Sequence, residues 1–185
     1  MRIIAGEWRG RALAAPPGPA TRPTADRVRQ ALFDMLMHAP WAGPDMLADA
    51  TVLDAFAGSG ALGLEALSRG VARAVFMEHD RAALTALRAN IAACKAAERC
   101  TVLPVDVLAA PPRRAPCELV FLDPPYRRDM VPRAVARLRA AGWIAAGGLL
   151  VAETGRGETL PEFGEVLAKR VHGAARVTAW REPAS

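Results

Sequence analysis

From residue 51 onward, short apolar runs alternate with segments of helical periodicity, and this alternation is the strongest constraint on the fold. A helical segment after the first run stops at Gly70, and another carries Leu84, Leu87 and Ile91. Such alternation favours a parallel sheet, because parallel strands need crossover connections. The predicted strands are TVLDAF (51–56), RAVFME (73–78), TVLPV (101–105), ELVFLD (118–123) and LLVAE (149–153). Alternating apolar residues on both sides of Gly173 predict a C-terminal antiparallel hairpin that closes the sheet edge.

The first 40 residues predict a smaller arrangement before this sheet. Residues 1–13 resemble a short hairpin around a glycine-containing turn, and the proline-rich stretch AAPPGPATRP that follows is a linker. Thr24 is a candidate N-cap for an amphipathic helix that runs to about His38. We therefore expect a hairpin, linker and helix over 1–40 and a main domain over 41–185, packed as a single compact unit because 185 residues suit one core.

Composition narrows the class of protein. The longest uncharged apolar run, residues 140–152, is shorter than the roughly 20 residues that span a bilayer, and the N-terminus lacks the apolar core of a signal peptide. Cys94, Cys100 and Cys117 have no C-x-x-C spacing, which favours neither a disulfide framework nor a zinc site. His38, His79 and His172 have no metal-ligand spacing either. These features predict a cytoplasmic protein with no membrane segment and no metal.

Positive charge is concentrated at the N-terminal end. Residues 1–30 contribute +4 of the formal net charge of +5. An arginine-rich segment on a nearly neutral body is typical of a nucleic-acid-binding protein, although solvated surface arginines are the commoner explanation of any one of them. The arginines of this segment are Arg2, Arg9, Arg11, Arg22, Arg27 and Arg29.

Acidic residues follow four successive predicted strands. Asp54 ends the first, Glu78 the second and Asp123 the fourth, while Asp106 comes just after the third. Ligands of open α/β sheets bind outside the carboxyl ends of the strands. Helix capping could explain one such residue, but four in phase favour a binding cleft.

The stretch DAFAGSGALG at 54–63 contains a glycine pattern used for two kinds of cofactor. Gly58, Gly60 and Gly63 match G-x-G-x-x-G, which lets a backbone approach a pyrophosphate, although the third glycine can serve helix packing alone. Asp54 would repel a pyrophosphate. S-adenosyl-L-methionine has no phosphate and carries an ammonium and a sulfonium, so the carboxylates favour this cationic ligand.

The tetrapeptide Asp123-Pro124-Pro125-Tyr126 is the most specific element of the sequence. The prolines restrict the backbone, so the Asp123 carboxylate and the Pro124 carbonyl can face one small volume. Two adjacent acceptors match an exocyclic amino group, and Tyr126 offers a face on which a base can stack. A rigid turn after a buried strand is the structural alternative.

These motifs resemble a known family. DAFAGSG, the strand end at Glu78 and DPPY are similar to the class I S-adenosylmethionine-dependent methyltransferases that act on amino groups of nucleobases. The segments MRIIAGEWRGRAL, RPTADRVRQALFDML, DAFAGSGALGLEALSRG and LVFLDPPYRR resemble, across nearly the whole chain, the RsmD family of 16S rRNA guanine-N(2) methyltransferases.

The resemblance implies a Rossmann-like α/β fold with a mostly parallel seven-stranded sheet, helices on both faces, the C-terminal antiparallel hairpin, and a short N-terminal β-hairpin and helix. It implies methylation of the 2-amino group of a guanine in 16S rRNA, guanine 966 in this family, during small-subunit assembly. S-adenosyl-L-homocysteine would be the product, and the protein would act as a monomer. Asp123, Pro124, Pro125 and Tyr126 would form the catalytic element.

The resemblance also distributes the other residues between cofactor and RNA. Asp54 would face the amino-acid moiety of the cofactor, Glu78 its ribose and Asp106 its adenine, while Gly58 and Gly60 allow close approach of the backbone. The remaining expected cofactor contacts are Arg22, Thr24, Phe56 and Val107, of which Phe56 could equally pack in the core. The expected RNA contacts are Arg9, Arg11, Arg27, Arg29, Arg127 and Arg128.

Three other functions remain open at the level of the sequence. A DNA or RNA adenine or cytosine amino-methyltransferase uses a similar tetrapeptide, although 185 residues leave little room for a separate target-recognition region. A dehydrogenase would use the same glycine pattern. A non-catalytic RNA-binding assembly protein could retain the same fold.

Overall fold

A seven-stranded sheet forms the centre of the computed structural model, which describes residues 1–16, 23–125 and 129–184, without the side chains of residues 23–25. The helices are α1 (Pro23–His38), α2 (Pro44–Ala48), α3 (Ala61–Ser68), α4 (Arg81–Ala93) and α5 (Met130–Ala140). The strands are β1 (Thr51–Asp54), β2 (Arg73–Met77), β3 (Cys100–Leu103), β4 (Cys117–Leu122), β5 (Ile144–Gly155), β6 (Glu165–His172) and β7 (Ala175–Arg181). Short 3-10 turns occupy Ala97–Arg99 and Val107–Ala109.

The strand order is β3-β2-β1-β4-β5-β7-β6. The first five strands of this order pair in parallel, whereas β7 runs antiparallel to both β5 and β6. The chain moves outward from β1 to β3 and then returns to place β4 on the other side of β1, so the direction of winding reverses between β1 and β4. This reversal is where ligands bind in open α/β sheets. The predicted parallel sheet and edge hairpin are confirmed.

Most strand bounds differ from the sequence-based expectation by one or two residues, and the differences at β5 and α1 have a clear structural reason. Strand β5 begins at Ile144 instead of residue 149, because β4 pairs with it from Ile144 onward through an irregular register. Helix α1 begins at Pro23, so Thr24 lies inside its first turn and is not the N-cap. Proline is favoured at the first helical position because its missing N–H needs no partner there. The predicted end of this helix at His38 is confirmed.

Helices cover both faces of the sheet. Phe33 of α1, Leu64 of α3 and Leu87 of α4 belong to one buried cluster, and the rings of Phe33 and Phe121 meet edge to face with centroids 5.6 Å apart. On the other face, Leu138 of α5 packs in a second cluster with strand residues. Helix α1 is therefore held over β4, which determines what its buried side chains can reach.

The N-terminal hairpin is reduced to one antiparallel bridge, between Arg2 and Ala12, and is attached to the sheet domain through α3. Glu65 of α3 is fully buried and accepts the backbone N–H groups of Ile4 and Ala5 at 2.8 and 3.0 Å. The hydroxyl of Ser68 donates to the Ala5 carbonyl and accepts the N–H of Trp8. Within the described ranges, no helix is long and apolar enough to cross a membrane.

Candidate active site

A cleft of about 550 Å³ runs along the carboxyl ends of the five parallel strands. All four acidic residues singled out from the sequence line it: Asp106 after β3, Glu78 after β2, Asp54 at the end of β1 and Asp123 after β4. Because the strands are parallel and in register, residues at equivalent strand ends meet at one edge of the sheet. The structure therefore brings these separated positions into a single cavity.

The chain turns after β1 at Gly58, and this turn opens into the cleft. Gly58 has a φ of +53°, and a Cβ atom there would meet no protein atom within 4 Å. Its N–H donates to Oε2 of Glu78 at 2.8 Å. Phe56 and Val107 also line the cleft, and both belong to or pack against the core beneath it. Phe56 therefore both lines the cleft and packs against the core, the two roles expected for it from the sequence.

Gly60 and Gly63 have packing roles instead. Gly60 does not line the cleft; it precedes α3 with a φ of +79°, and a Cβ atom there would overlap the side chain of Leu87. At Gly63 a Cβ atom would overlap the ring of Phe76. A Cβ atom at Gly60 would thus face helix α4 and not the cavity, and the expected contact of its backbone with a cofactor stays a prediction.

Asp54 is buried at the base of the cleft and is 2% exposed. Its Oδ2 accepts the N–H of Gly63 at 3.0 Å, which ties β1 to the start of α3. Burial raises the pKa of Asp54 from 3.8 to about 7, the Gly63 N–H works in the opposite direction, and the charge of Glu78 raises it further. A cation placed in the cleft would favour the ionised form of this carboxyl.

Glu78 and Asp106 hold the backbone of the cleft wall. Besides the Gly58 N–H, Glu78 accepts the N–H groups of His79 and Asp80 at 2.8 Å through Oε1. Asp106 caps the 3-10 turn that follows it by accepting the N–H of Leu108 at 2.8 Å. The capping explanation is thus correct for Asp106, which nevertheless lines the cavity.

Asp123 faces the cleft and not the protein interior. Its side chain is exposed to solvent within the cavity, and Pro125 lines the cavity beside it, whereas Pro124 is buried. The concave surroundings remove the carboxylate from bulk water and raise its pKa, and the charges of Glu153 and Asp54 raise it further. Tyr126, Arg127 and Arg128 lie outside the described residues, so their expected roles stay predictions.

Two residues of the cleft were not assigned to it from the sequence. Glu153 of β5 and Arg29 of α1 both line the cavity. Burial raises the pKa of Glu153, and the nearby charge of Arg29 works against this rise. The sequence signal was that Glu153 ends the predicted strand LLVAE, and the structure adds that Ala152 pairs with Leu122, the residue before Asp123.

The structure corrects the assignment of Arg29 to an RNA-facing surface. Arg29 is 5% exposed, and its Nη2 donates to the Arg2 carbonyl at 2.6 Å and to Asp26 at 3.0 Å. Arg29 lies on the buried face of α1, so its side chain points inward. The number of arginines in the segment gave no indication of this orientation. Arg22 and the side chain of Thr24 lie outside the described residues.

The other N-terminal arginines that the structure describes are on the surface. Arg9, Arg11 and Arg27 are exposed, and the guanidinium of Arg11 donates to the carbonyl of Ala93. A shallow hollow of about 460 Å³ lies between the hairpin and α1, where Arg9 and Arg27 line it together with Arg2, Asp26 and Asp34. The basic segment therefore forms an exposed surface of mixed charge next to the cleft residues Met1 and Arg29.

The cleft suits a small ligand that carries positive charge. Its volume lies within the roughly 300–1,000 Å³ of small-molecule sites. Its acidic lining residues are Asp54, Glu78, Asp80, Asp106, Asp123 and Glu153, against Arg29 as the one arginine among the described lining residues. These carboxylates fit an ammonium and a sulfonium better than a pyrophosphate. In the part of the chain that the structure describes, no group of three or more His, Cys, Asp or Glu side chains is arranged to hold a metal ion.

The sheet order and the cleft define a Rossmann-like methyltransferase fold, and solved structures agree. A structure described as a putative methyltransferase, yhhF, from Escherichia coli superposes with a TM-score of 0.84 and 38% identity, covering 100% of this chain and 99% of its own. An RNA methyltransferase from Salinibacter ruber, solved with S-adenosyl-L-homocysteine, has the same fold at 18% identity and a TM-score of 0.63, covering 91% of this chain and 95% of its own. The protein therefore has the class I methyltransferase fold.

The family follows from sequence comparison. The model of a family described as conserved hypothetical protein 95 matches residues 1–181. Ribosomal RNA small subunit methyltransferase D from Escherichia coli K12 is 43% identical over 154 residues, which cover 83% of this chain and 74% of the relative. A Haemophilus influenzae protein of the same name is 35% identical over 94% of this chain and 89% of its own length. The chain belongs to this family, the RsmD family that its motifs resemble.

Proposed function

We propose that the protein transfers a methyl group from S-adenosyl-L-methionine to the 2-amino group of a guanine in 16S rRNA, at the family's expected target, guanine 966. The relatives at 43% and 35% identity are small-subunit rRNA methyltransferases by name, which supports methyl transfer to rRNA as the general activity. The guanine and its 2-amino group are the finer part of the proposal and rest on the resemblance and on the chemistry of the cleft.

The observation that carries the proposal is the position of Asp123. Its exposed carboxylate shares one cavity with the Gly58 turn and with Asp54, although these residues are far apart in the chain. A methyl donor and an amino acceptor must occupy one water-poor space for transfer to occur. The cleft provides such a space at the point where the sheet winding reverses.

The residues after β1, β2 and β3 are the ones that would hold the cofactor. Gly58 leaves space for close approach, Asp54 would pair with the ammonium, Glu78 would meet the ribose and Asp106 the adenine. The hydrogen bonds of Glu78 and Asp106 to backbone N–H groups fix these carboxylates in place before any ligand binds. S-adenosyl-L-methionine would supply a methyl group made electrophilic by the sulfonium.

Asp123 and the Pro124 carbonyl would prepare the amino group. The lone pair of this nitrogen is delocalised into the purine ring, which makes it a poor nucleophile. By accepting both N–H groups, the two oxygens would favour a tetrahedral nitrogen with its lone pair directed at the methyl carbon. Alignment of this kind supplies a large part of the rate enhancement in enzymes that hold two reactants together.

Asp123 would also accept the proton that the nitrogen loses as it gains the methyl group. The positive charge of a bound cofactor would favour the ionised form of Asp123, which is the form that accepts a proton. The target base must leave its stack to enter the cleft, which costs a few kcal/mol and least in a loop or in unfolded RNA. Stacking on Tyr126 would offset part of this cost.

Recognition of the RNA would come from the basic N-terminal surface. Arg9, Arg11 and Arg27 are exposed there and are available to phosphates. The substrate expected from the sequence is a small-subunit assembly intermediate, and the expected state of the protein is a monomer in the cytoplasm; these remain predictions.

Methyl transfer to small ribosomal subunits tests the proposal. Subunits from cells that lack the modification are incubated with the protein and with cofactor labelled in the methyl group, and the RNA is digested to nucleosides. Label in N(2)-methylguanosine at one site is the expected result. Label in N(6)-methyladenosine would favour an adenine amino-methyltransferase, and cofactor binding with no transfer to any subunit particle would favour an RNA-binding assembly protein.

A further inference from the structure

Among the acidic residues of the cleft, the transfer described above gives no role to Asp80, which caps helix α4, or to Glu153. Glu153 lines the same cavity as Asp123 and is half-buried. It lies on β5, whereas the acidic residues assigned to the cofactor follow β1, β2 and β3. Since β4 and β5 lie on the same side of β1 in the strand order, Glu153 occupies the end of the cleft beyond Asp123.

The strand register places the two carboxylates side by side. Leu122, the last residue of β4, pairs with Ala152; the next residue along the chain is Asp123 after β4 and Glu153 within β5, and the charge of Glu153 raises the pKa of Asp123. Adjacent strands are about 4.8 Å apart, and residues at paired positions point to the same face. Asp123 and Glu153 therefore present adjacent acceptor oxygens to the same part of the cavity.

Arg29 opposes this pair from helix α1. Its Nη2 is held by the Arg2 carbonyl and Asp26, and its Nε is 3.8 Å from Glu65. Its charge favours the ionised form of Glu153, in which both oxygens are acceptors. Two neighbouring carboxylates repel each other, so a ligand that places several N–H donors between them would relieve this repulsion.

Guanine is the nucleobase whose pairing edge offers such donors. Its N1–H and its 2-amino group stand next to each other, whereas adenine has an acceptor at N1 and cytosine an acceptor at N3. Uracil has one N–H between two carbonyl groups. A flipped or single-stranded base is read by hydrogen bonds to this edge.

The geometry points to Glu153 as the residue that selects guanine: its carboxylate accepts the N1–H while Asp123 holds the 2-amino group. This inference rests on the proposed function, because it assumes that a base amino group is the methyl acceptor. A base that places an acceptor at N1 faces the Glu153 carboxylate with like partial charge and is rejected.

The matched probe is 2-aminopurine, which keeps the 2-amino group but has an acceptor at N1 and no 6-oxo group. Two small-subunit RNAs are prepared that differ only at the target position, one with guanine and one with 2-aminopurine. Methyl transfer and equilibrium binding in the presence of S-adenosyl-L-homocysteine are measured for the wild type, Glu153→Gln and the exposed control Glu162→Gln. The fluorescence of 2-aminopurine reports entry of the base into the cleft independently of transfer.

The wild type and Glu162→Gln are expected to prefer guanine by about tenfold to a hundredfold, the usual value of a good pair of base contacts. The amide introduced by Glu153→Gln can donate to N1 of 2-aminopurine, so this variant should lose most of the preference or reverse it. Its affinity for S-adenosyl-L-homocysteine and its melting temperature are measured in parallel.

Two results would overturn the inference while leaving the proposed function intact. One is a wild type that methylates guanine at N(2) but treats 2-aminopurine equally well, a result that needs no variant to fold. The other is a Glu153→Gln variant whose two rates fall by the same factor, because a purely structural role lowers both and preserves their ratio. A wild type that transfers no methyl group to guanine contradicts the proposed function itself.

Discussion

At the scale of single residues, Asp123 carries the chemistry and offers the most direct test. We expect Asp123→Ala to lower methyl transfer by at least about a hundredfold, within the range that general acid–base groups contribute, because the nitrogen loses both its orientation and its proton acceptor. Affinity for S-adenosyl-L-methionine should change by only a few fold. Transfer assays and calorimetric titration measure the two quantities.

The exposed residue Asp49, which follows α2 outside the cleft, offers a matched control. Asp49→Ala should leave transfer unchanged. Equal activity in Asp123→Ala and the wild type would contradict the proposed role of the carboxylate.

Asp54 predicts a pH dependence at the same scale. Its pKa is raised to about 7, mainly by burial, with Glu78 as the acidic neighbour. The folded protein therefore keeps a proton on Asp54 that the unfolded chain releases, so this residue lowers the free energy of unfolding progressively as pH rises from about 4 to above 7. A bound cationic ligand favours the ionised form of Asp54 and so reverses this loss of stability with rising pH.

Binding of S-adenosyl-L-methionine at about pH 7 should therefore release protons, and its affinity should weaken by up to about tenfold for each pH unit below this value. Calorimetry in two buffers of different ionisation enthalpy measures the protons released. Asp54→Asn should remove most of this release, and Asp49→Asn should retain it. Proton uptake by the wild type would be incompatible with an ionised Asp54 in the complex.

At the scale of secondary-structure elements, the glycines after β1 have different roles: Gly58 leaves space for a ligand, and Gly63 allows helix α3 to pack against Phe76. Gly63→Ala should destabilise the protein by about 1–3 kcal/mol, because a Cβ atom there would overlap the ring of Phe76, which is buried in the sheet. The new Cβ atom in Gly58→Ala has open space around it, but the backbone φ of +53° is unfavourable for alanine. We therefore expect this variant to lose about 1–2 kcal/mol of stability. It should also weaken cofactor binding, since the new methyl group projects where the ligand would approach.

Urea unfolding and ligand titration distinguish these two variants. Gly157→Ala is a suitable control, because Gly157 lies in a surface turn with no atom within 4 Å of a Cβ. If Gly63→Ala weakened ligand binding more than Gly58→Ala did, the division of roles between the two glycines would be wrong.

Helix α3 attaches the N-terminal hairpin and α1 to the sheet through Glu65. This carboxylate receives two backbone N–H groups, lies 2.7 Å from Nε of Arg69 and is 3.8 Å from Arg29. Glu65→Ala leaves these buried donors and charges without a partner, so we expect a loss of about 3–5 kcal/mol in the free energy of unfolding. Urea denaturation of this variant and of the exposed control Glu98→Ala tests the expectation, and equal midpoints would contradict it.

At the scale of the whole molecule, the net charge of +5 and its concentration near the N-terminus predict salt-dependent RNA binding. The double variant Arg9→Ala, Arg27→Ala should lower the slope of log affinity against log salt concentration by roughly 1 for each arginine that contacts a phosphate. Arg170→Ala removes an exposed charge from β6, the edge strand of the C-terminal hairpin, and should leave the slope unchanged. An unchanged slope in the double variant would place the RNA elsewhere.

Much of this architecture was accessible from the sequence because its signals are local. Apolar runs of strand length, helical stripes and the glycines that punctuate them depend on neighbouring residues, which is why the parallel sheet and the edge hairpin were predicted. The gathering of Asp54, Glu78, Asp106 and Asp123 was predictable for a related reason, since all strand ends of a parallel sheet share one edge.

What the sequence by itself determined, then, was the set of elements, their parallel arrangement and the edge at which a ligand binds, all of which follow from chain periodicity. Tertiary structure alone decided that β5 lies beside β4, which brings Glu153 next to Asp123, and that α1 turns Arg29 inward to face them. Strand order and helix rotation depend on packing between residues distant in the chain, such as Phe33 on Phe121, and no local pattern encodes such contacts.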